Sequence, residues 1–131
     1  MTRRELREHI FRLLFRRDFY SEEEMKEQET FYLEALEAPS EKDAAYIREK
    51  TERILEKVPE LDAAIDAHAT GWSVKRMAKA ELTIMRLAVY EMKYDDDVPV
   101  SVAINEAVEL AKRYGGDHAP SFVNGVLAKL S

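Results

Sequence analysis

The apolar residues of this chain recur three and four positions apart and do not alternate, a spacing that predicts helices and no strands. Near the N-terminus, Leu6, Ile10, Leu13 and Leu14 fall on one face of a helix and form a core-facing stripe. Only four Gly and four Pro interrupt the pattern over 131 residues. The sequence therefore predicts an all-α fold of about seven helices.

Capping residues and helix breakers predict where these helices begin and end. Thr2 with Glu5 and Ser21 with Glu24 match the capping box, and Pro59 suits the start of a helix. The predicted helices cover residues 2–18, 21–36, 40–58, 59–69, a stretch within 73–93 that follows a short turn, 100–114 and 119–130. The helix within 73–93 is apolar on almost every side, which predicts a central position in the bundle.

The size and composition of the chain fit one compact domain over residues 1–131. At 46% hydrophobic residues, a chain of this length can bury a real core without disulfide or metal staples. It has no cysteine, so disulfides and thiolate metal sites are excluded. No apolar run approaches the length of about 20 residues that spans a bilayer, and no signal-peptide pattern follows the charged start. We expect a cytoplasmic protein that does not enter membranes.

The charge is distributed unevenly along the chain. The net charge is −6, but residues 1–17 carry six Arg against two Glu. Residues 18–66 then carry sixteen acids against six bases, and residues 67–93 are again weakly basic. Such asymmetry permits a local phosphate-binding patch on an acidic protein.

A second stripe in the first helix predicts contact with RNA. Arg3, Arg7, Phe11 and Phe15 follow one another every four residues and so line up along the helix. Arginine binds phosphate and aromatic rings stack on unpaired bases, which is the combination that single-stranded RNA requires. The alternative is a solvated face with Phe11 in the core, and the pattern alone does not decide between the two.

The C-terminal region contains an aromatic pair around a helix break. Tyr114 precedes Gly115 and Gly116, and Phe122 lies in the following helix. The break is expected to expose backbone N–H groups at the start of the last helix, where a phosphate can bind. Packing of both rings in the core is the alternative. Gly125, inside the last helix, is expected to mark a close helix contact.

The sequence gives little support for catalysis. His9, His68 and His118 have no spacing typical of a metal site, and the acidic run 95–97 lacks the spaced ligands and glycine of a calcium loop. No glycine-rich phosphate loop or nucleophile elbow is present. We therefore expect neither an enzyme nor a bound cofactor or metal.

Several longer stretches match one known family. They are EMKYDDDVPVSVAINEAVELAKRYGGDHAPSFVNGVLAKL at 91–130, the segment 81–91 with Arg86 and Tyr90, Trp72, and the opening arginines with Arg7-Glu8. In these features the chain resembles the NusB family over nearly its whole length. Glu5 stands where a third adjacent arginine is common, Phe15 where tyrosine is common, and His118 where an acid is common.

The resemblance implies two packed antiparallel helical bundles and a role in transcription antitermination. It implies binding to the boxA element of ribosomal RNA leaders together with the ribosomal protein NusE, within the antitermination complex of RNA polymerase, and without a cofactor. Arginines would hold phosphates, aromatic rings would stack on bases, and acids would accept hydrogen bonds from base edges. The implied RNA-facing residues are Arg3, Arg4, Arg7, Phe15, Glu81, Arg86, Tyr114, Asp117, His118 and Phe122.

Two other functions are compatible with a helical bundle of this kind. The same fold forms the N-terminal domain of a ribosomal RNA cytosine methyltransferase, but 131 residues leave no room for the catalytic domain. The chain could instead be a protein-interaction adaptor whose acidic segment 18–66 meets a basic partner. The sequence leaves the oligomeric state open between monomer and homodimer.

Overall fold

A computed structural model describes residues 1–37 and 39–131, and its regular structure in those ranges is entirely helical. The all-α prediction of about seven helices is confirmed. The α-helices are α1 (Arg3–Phe15), α2 (Glu22–Ala35), α3 (Glu41–Glu56), α4 (Val58–His68), α5 (Lys79–Tyr94), α6 (Val100–Tyr114) and α7 (Ala119–Leu130). Short 3-10 turns cover Arg16–Asp18 and Val74–Arg76.

The helix starts follow the predicted capping chemistry. Both capping boxes form: the Thr2 side chain accepts the Glu5 N–H while the Glu5 carboxylate accepts the Thr2 N–H, and Ser21 pairs with Glu24 in the same way. Each box satisfies backbone donors that the first helical turn cannot bond internally. The hydrogen bonds also lower the pKa values of Glu5 and Glu24. The predicted helix boundaries agree with the structure to within about three residues at each end.

The chain divides into two compact units, Met1–Leu55 and Glu56–Ser131. Unit 1 contains α1, α2 and nearly all of α3. In α1, Ile10, Leu13 and Leu14 are buried as the apolar stripe predicts, and Ile47 and Ile54 of α3 are fully buried. The amino group of Met1 binds the Asp43 carboxylate at 3.0 Å, which ties the chain start to α3.

Unit 2 is built around α5. Residues 82–91 of this helix are buried without interruption, and α5 contacts α4, α6 and α7. A helix surrounded by other helices needs apolar residues on every side, so the predicted central position of α5 is confirmed. Ala103, Ala107 and Ala111 lie four residues apart on α6 and are all buried. Such small side chains allow α6 to approach its neighbours closely.

Gly125 does not mark a close helix contact, so that prediction is wrong. A Cβ added at this position would meet no atom within 4 Å apart from the local helix backbone. The prediction of a single domain over residues 1–131 stays a prediction. In the described part of the chain, no helix is both long enough and apolar enough to cross a lipid bilayer.

Candidate nucleic-acid interface

The start of α1 presents exposed arginines. Arg3 and Arg4 lie in its first turn, and both residues are exposed. Cations at a helix N-terminus oppose the helix dipole, so this placement does not stabilise α1 through the dipole. The positive end of the helix and the two guanidinium groups instead reinforce each other in attracting an anion. This end of α1 is therefore suited to phosphate.

The predicted stripe of Arg3, Arg7, Phe11 and Phe15 is not one exposed face. Arg7 is 8% exposed and Phe11 is 3% exposed, whereas Arg3 is exposed and Phe15 is half-buried. The alternative that places Phe11 in the core is therefore correct. Little of the Arg7 surface can meet a phosphate in this conformation, and its predicted role as a phosphate ligand stays a prediction.

An exposed ring extends the aromatic pair at the end of α1. The Phe15 ring lies 6.2 Å from the Phe11 ring and 5.3 Å from the Phe19 ring, and Phe19 is 59% exposed. Phe19 was not among the predicted RNA-facing residues. It continues the four-residue spacing beyond Phe15, and that spacing was the signal that could have identified it. The 3-10 turn Arg16–Asp18 carries the chain from one ring to the next.

Polar contacts join α1 and the 3-10 turn that follows it to α2. Arg16 donates to Gln28 Oε1 at 2.8 Å and places its guanidinium carbon 5.1 Å from the centre of the Tyr32 ring. The Tyr32 hydroxyl also hydrogen-bonds His9 Nδ1 at 2.6 Å. Burial is the main cause of a lowered His9 pKa, which favours the neutral ring. His9 and Arg16 are thus engaged within unit 1.

In unit 2, Arg86 belongs to the packed interior. Its Nε and Nη2 donate to the two carboxylate oxygens of Asp62 at 2.7 and 2.9 Å, and its side chain is 5% exposed. These two parallel hydrogen bonds occupy an edge of the guanidinium group that could otherwise bind a phosphate. The ion pair joins α4 to α5 within unit 2, and the predicted role of Arg86 in RNA contact stays a prediction.

The connection between α6 and α7 holds several of the predicted residues. Tyr114 is half-buried at the end of α6, with the Arg113 guanidinium carbon 5.5 Å from the centre of its ring. Asp117 and His118 are exposed. A Cβ added at Gly115 would lie 2.4 Å from the Cβ of Ala119, so this glycine allows the chain to turn tightly between the two helices.

The start of α7 offers fewer backbone donors than predicted. The Ala119 N–H already bonds Gly116 O at 3.0 Å, and Pro120 has no N–H. The Phe122 N–H bonds His118 O inside the helix. The predicted phosphate site at this helix N-terminus stays a prediction, and Asp117 and His118 add exposed polar side chains beside it.

Unit 2 also contains an aromatic contact between its 3-10 turn region and α7. The rings of Trp72 and Phe122 lie 5.9 Å apart at 67°, an edge-to-face arrangement, and Trp72 is 51% exposed. Phe122 is half-buried. Glu81, in the first turn of α5, is half-buried as well, and its charge suits a helix N-terminus even without RNA.

The ten predicted residues are divided between the units. Within unit 1 the structure brings the Arg3 and Arg4 positions onto one helical turn, and Phe15 lies at the opposite end of α1. Within unit 2, Tyr114, Asp117, His118 and Phe122 surround one helix break. Among residues 1–37 and 39–131, no three His, Cys, Asp or Glu side chains converge on a position that could hold a metal ion.

Comparison with known proteins identifies the family. The family model described as "NusB family" matches residues 4–131. The chain belongs to the NusB family. It is 51% identical over 130 residues to the transcription antitermination protein NusB of Lachnoclostridium phytofermentans, covering 99% of this chain and 98% of that relative.

Solved structures of the NusB family confirm the fold. The T. maritima NusB structure matches with a TM-score of 0.87 at 32% identity, covering 99% of this chain and 90% of that one. A chain from a crystal structure of the antitermination factors NusB and NusE in complex with double-stranded RNA matches with a TM-score of 0.82 at 24% identity. The match covers 98% of this chain and 94% of that one, and it is evidence of fold.

Proposed function

We propose that this NusB-family chain is a transcription antitermination factor that binds boxA-type single-stranded RNA of ribosomal RNA leaders together with NusE. The observation that carries the proposal is the pair of exposed arginines, Arg3 and Arg4, at the positive end of α1 in a member of this family. Their position has no benefit for helix stability through the dipole but suits phosphate binding. Membership in a family whose relatives carry the antitermination name supports the same conclusion.

The set of residues proposed to contact RNA is smaller than the set predicted from the sequence. It keeps the exposed or half-buried side chains and leaves out Arg7 and Arg86, which are buried. Arginines contact phosphates, rings stack on bases, and acidic side chains accept hydrogen bonds from base edges. The proposed members are Arg3, Arg4 and Phe15 in unit 1, and Glu81, Tyr114, Asp117, His118 and Phe122 in unit 2.

A protein partner is part of the proposal because the chain is acidic overall. With a net charge of −6, it is expected to bind RNA weakly alone. NusE would add contact surface and positive charge. The crystal structure of the antitermination factors NusB and NusE in complex with double-stranded RNA contains a chain of this fold and supports a partnership with NusE. We propose that the complex acts on RNA polymerase in the cytoplasm and needs no cofactor, with this chain as a monomer or homodimer.

Binding of labelled boxA RNA and of a scrambled strand, across a salt series and with or without NusE, tests the proposal. The two phosphate contacts proposed for Arg3 and Arg4 should contribute about −1.4 to the slope of log affinity against log salt on single-stranded RNA. The Arg3→Ala/Arg4→Ala variant should bind more weakly and reduce that slope by about 1.4, since each lost phosphate contact contributes about 0.7.

The matched control is Arg53→Ala, which removes an exposed arginine from α3. It should leave both the affinity and the slope unchanged. Equal binding of boxA and scrambled RNA in the presence of NusE would contradict the proposal. Binding of NusE without any RNA affinity would instead identify the chain as a protein-interaction adaptor.

A further inference from the structure

Trp72 is a large aromatic side chain that is exposed to solvent. It is the only tryptophan in the sequence, and 51% of it is exposed. Its backbone N–H donates to Ala69 O at 2.9 Å, closing a turn just after α4. Gly71 lies in this turn with φ +79°, a conformation that other residues rarely adopt. The local backbone therefore fixes the indole at the surface.

Phe122 supports the indole from one side. The two rings meet edge to face at 5.9 Å, which is a favourable aromatic geometry. Such a contact uses one ring edge and one ring face, so much of the Trp72 surface remains open to solvent. Because Phe122 is one of the residues of unit 2 that are proposed to contact RNA, the exposed part of Trp72 adjoins that set within unit 2.

The chain around Trp72 carries several exposed basic residues. Residues 70–80 contain Lys75, Arg76 and Lys79 and no acid, and all three of these bases are exposed. Lys129 of α7 donates to Thr70 Oγ1 at 3.0 Å, which brings a fourth cation to the same turn. The Asp66 carboxylate accepts the Val74 N–H at 2.9 Å, which holds the 3-10 turn, and it is a single negative charge against these four bases.

We propose that Trp72 stacks on an unpaired base of single-stranded RNA, next to Phe122, while the surrounding cations contact the neighbouring phosphates. The inference rests on the proposed RNA-binding function and adds a stacking residue to it. A half-exposed aromatic ring among cations is the combination that non-paired nucleic acid requires, since every base has a face that can stack. An exposed tryptophan can also anchor a protein partner, but the cations favour a polyanion.

Intrinsic fluorescence tests the stacking directly, because Trp72 is the only indole in the chain. Titration with the boxA RNA should quench the emission, and a uridine-only strand of equal length should quench it less. Trp72→Leu keeps an apolar side chain but no ring, and it should bind boxA RNA roughly 5-fold to 100-fold more weakly. Trp72→Phe should retain most of the affinity.

Tyr94→Leu is the matched control. Tyr94 is 44% exposed in the same unit, and its ring lies 5.1 Å from Lys57 Nζ, so the variant also removes an exposed ring beside a cation. Its RNA affinity should equal that of the unmodified protein. Circular dichroism should show the same helical content in all variants.

The outcomes separate this inference from the function on which it rests. RNA binding by the unmodified protein with no change in emission, or with unchanged affinity in Trp72→Leu, would overturn the role of Trp72 and leave the proposed function intact. Loss of NusE binding in Trp72→Leu with unchanged RNA affinity would overturn it in favour of a protein contact. If the unmodified protein binds no RNA with or without NusE, the proposed function itself fails.

Discussion

Arg86 and Asp62 form a two-point ion pair between α5 and α4, with N–O distances of 2.7 and 2.9 Å. The arginine side chain is 5% exposed and the aspartate side chain 25% exposed. A guanidinium in this position depends on its carboxylate, because removing one partner leaves a buried charge uncompensated. The pair therefore holds unit 2 together.

Asp62→Ala should lower the free energy of unfolding by about 3 kcal/mol, measured by urea denaturation. Arg86→Lys should also destabilise the protein, because an ammonium group cannot reproduce the two parallel hydrogen bonds. The control is Lys112→Ala, which breaks the exposed pair with Glu109 and should cost at most about 0.5 kcal/mol. Unchanged stability in Asp62→Ala would show that the pair is not structural.

Glu29 makes the stability of unit 1 depend on pH. Its carboxyl group is almost fully buried and lies near the Glu52 carboxyl, with Arg48 Nη1 3.4 Å from its Oε2. Burial, followed by repulsion from Glu52, raises the pKa of Glu29 to about 7, against smaller opposing effects of Arg48 and Lys26. Among the described residues no donor reaches Oε1, and a proton on Glu29 would supply a hydrogen bond toward Glu52.

The sign of the pH effect follows from this raised pKa. The folded protein binds the proton more tightly than the unfolded chain, so the contribution is complete below about pH 4.5 and is lost as the pH rises through about 7. Between about pH 5 and pH 8.5, the free energy of unfolding should fall by up to about 3 kcal/mol from this group.

Glu29→Gln should remove most of that decline, because glutamine resembles the protonated carboxyl. Urea denaturation of both proteins at several pH values measures the difference. Glu49→Gln, which neutralises an exposed acid on α3, is the control and should keep the decline of the unmodified protein. A parallel pH dependence in Glu29→Gln and the unmodified protein would mean that Glu29 is ionised in the folded state.

Gly115 should not tolerate a side chain, whereas its neighbour Gly116 should. An alanine Cβ at Gly115 would lie 2.4 Å from Ala119 Cβ and 2.9 Å from Ala111 O, but one at Gly116 would meet nothing within 4 Å. Gly115→Ala should therefore destabilise the protein by about 1–3 kcal/mol, and Gly116→Ala should change stability little. Thermal denaturation compares the two. Equal melting temperatures would show that the turn relaxes without cost.

Gly125→Ala should stabilise the protein. The position is exposed inside α7 with open space around it, and alanine has a higher helix propensity than glycine. A gain of about 0.5–1 kcal/mol in the free energy of unfolding is expected. Urea denaturation measures it, and a loss of stability would indicate a neighbour that α7 contacts only in solution.

The sequence was sufficient to predict the helices but not the partners of individual charged residues. Capping boxes and glycine breaks act locally, so Thr2 and Glu5 could be paired from their spacing alone. The sequence did not reveal the ion pair of Arg86, by contrast, because its partner Asp62 lies 24 residues earlier, on another helix. Arg7 shared a four-residue spacing with exposed Arg3, but position on a stripe does not reveal which part of that stripe becomes buried.

Transcription in a reconstituted reaction tests the central claim most directly. The template would carry a boxA sequence ahead of a terminator, and read-through would be measured with RNA polymerase and NusE, with and without this protein. The protein should increase read-through, and a scrambled boxA should abolish the increase. Arg3→Ala/Arg4→Ala should weaken the increase, whereas Arg53→Ala should not. Read-through that is unchanged by the protein, or that rises equally on the scrambled template, would contradict it.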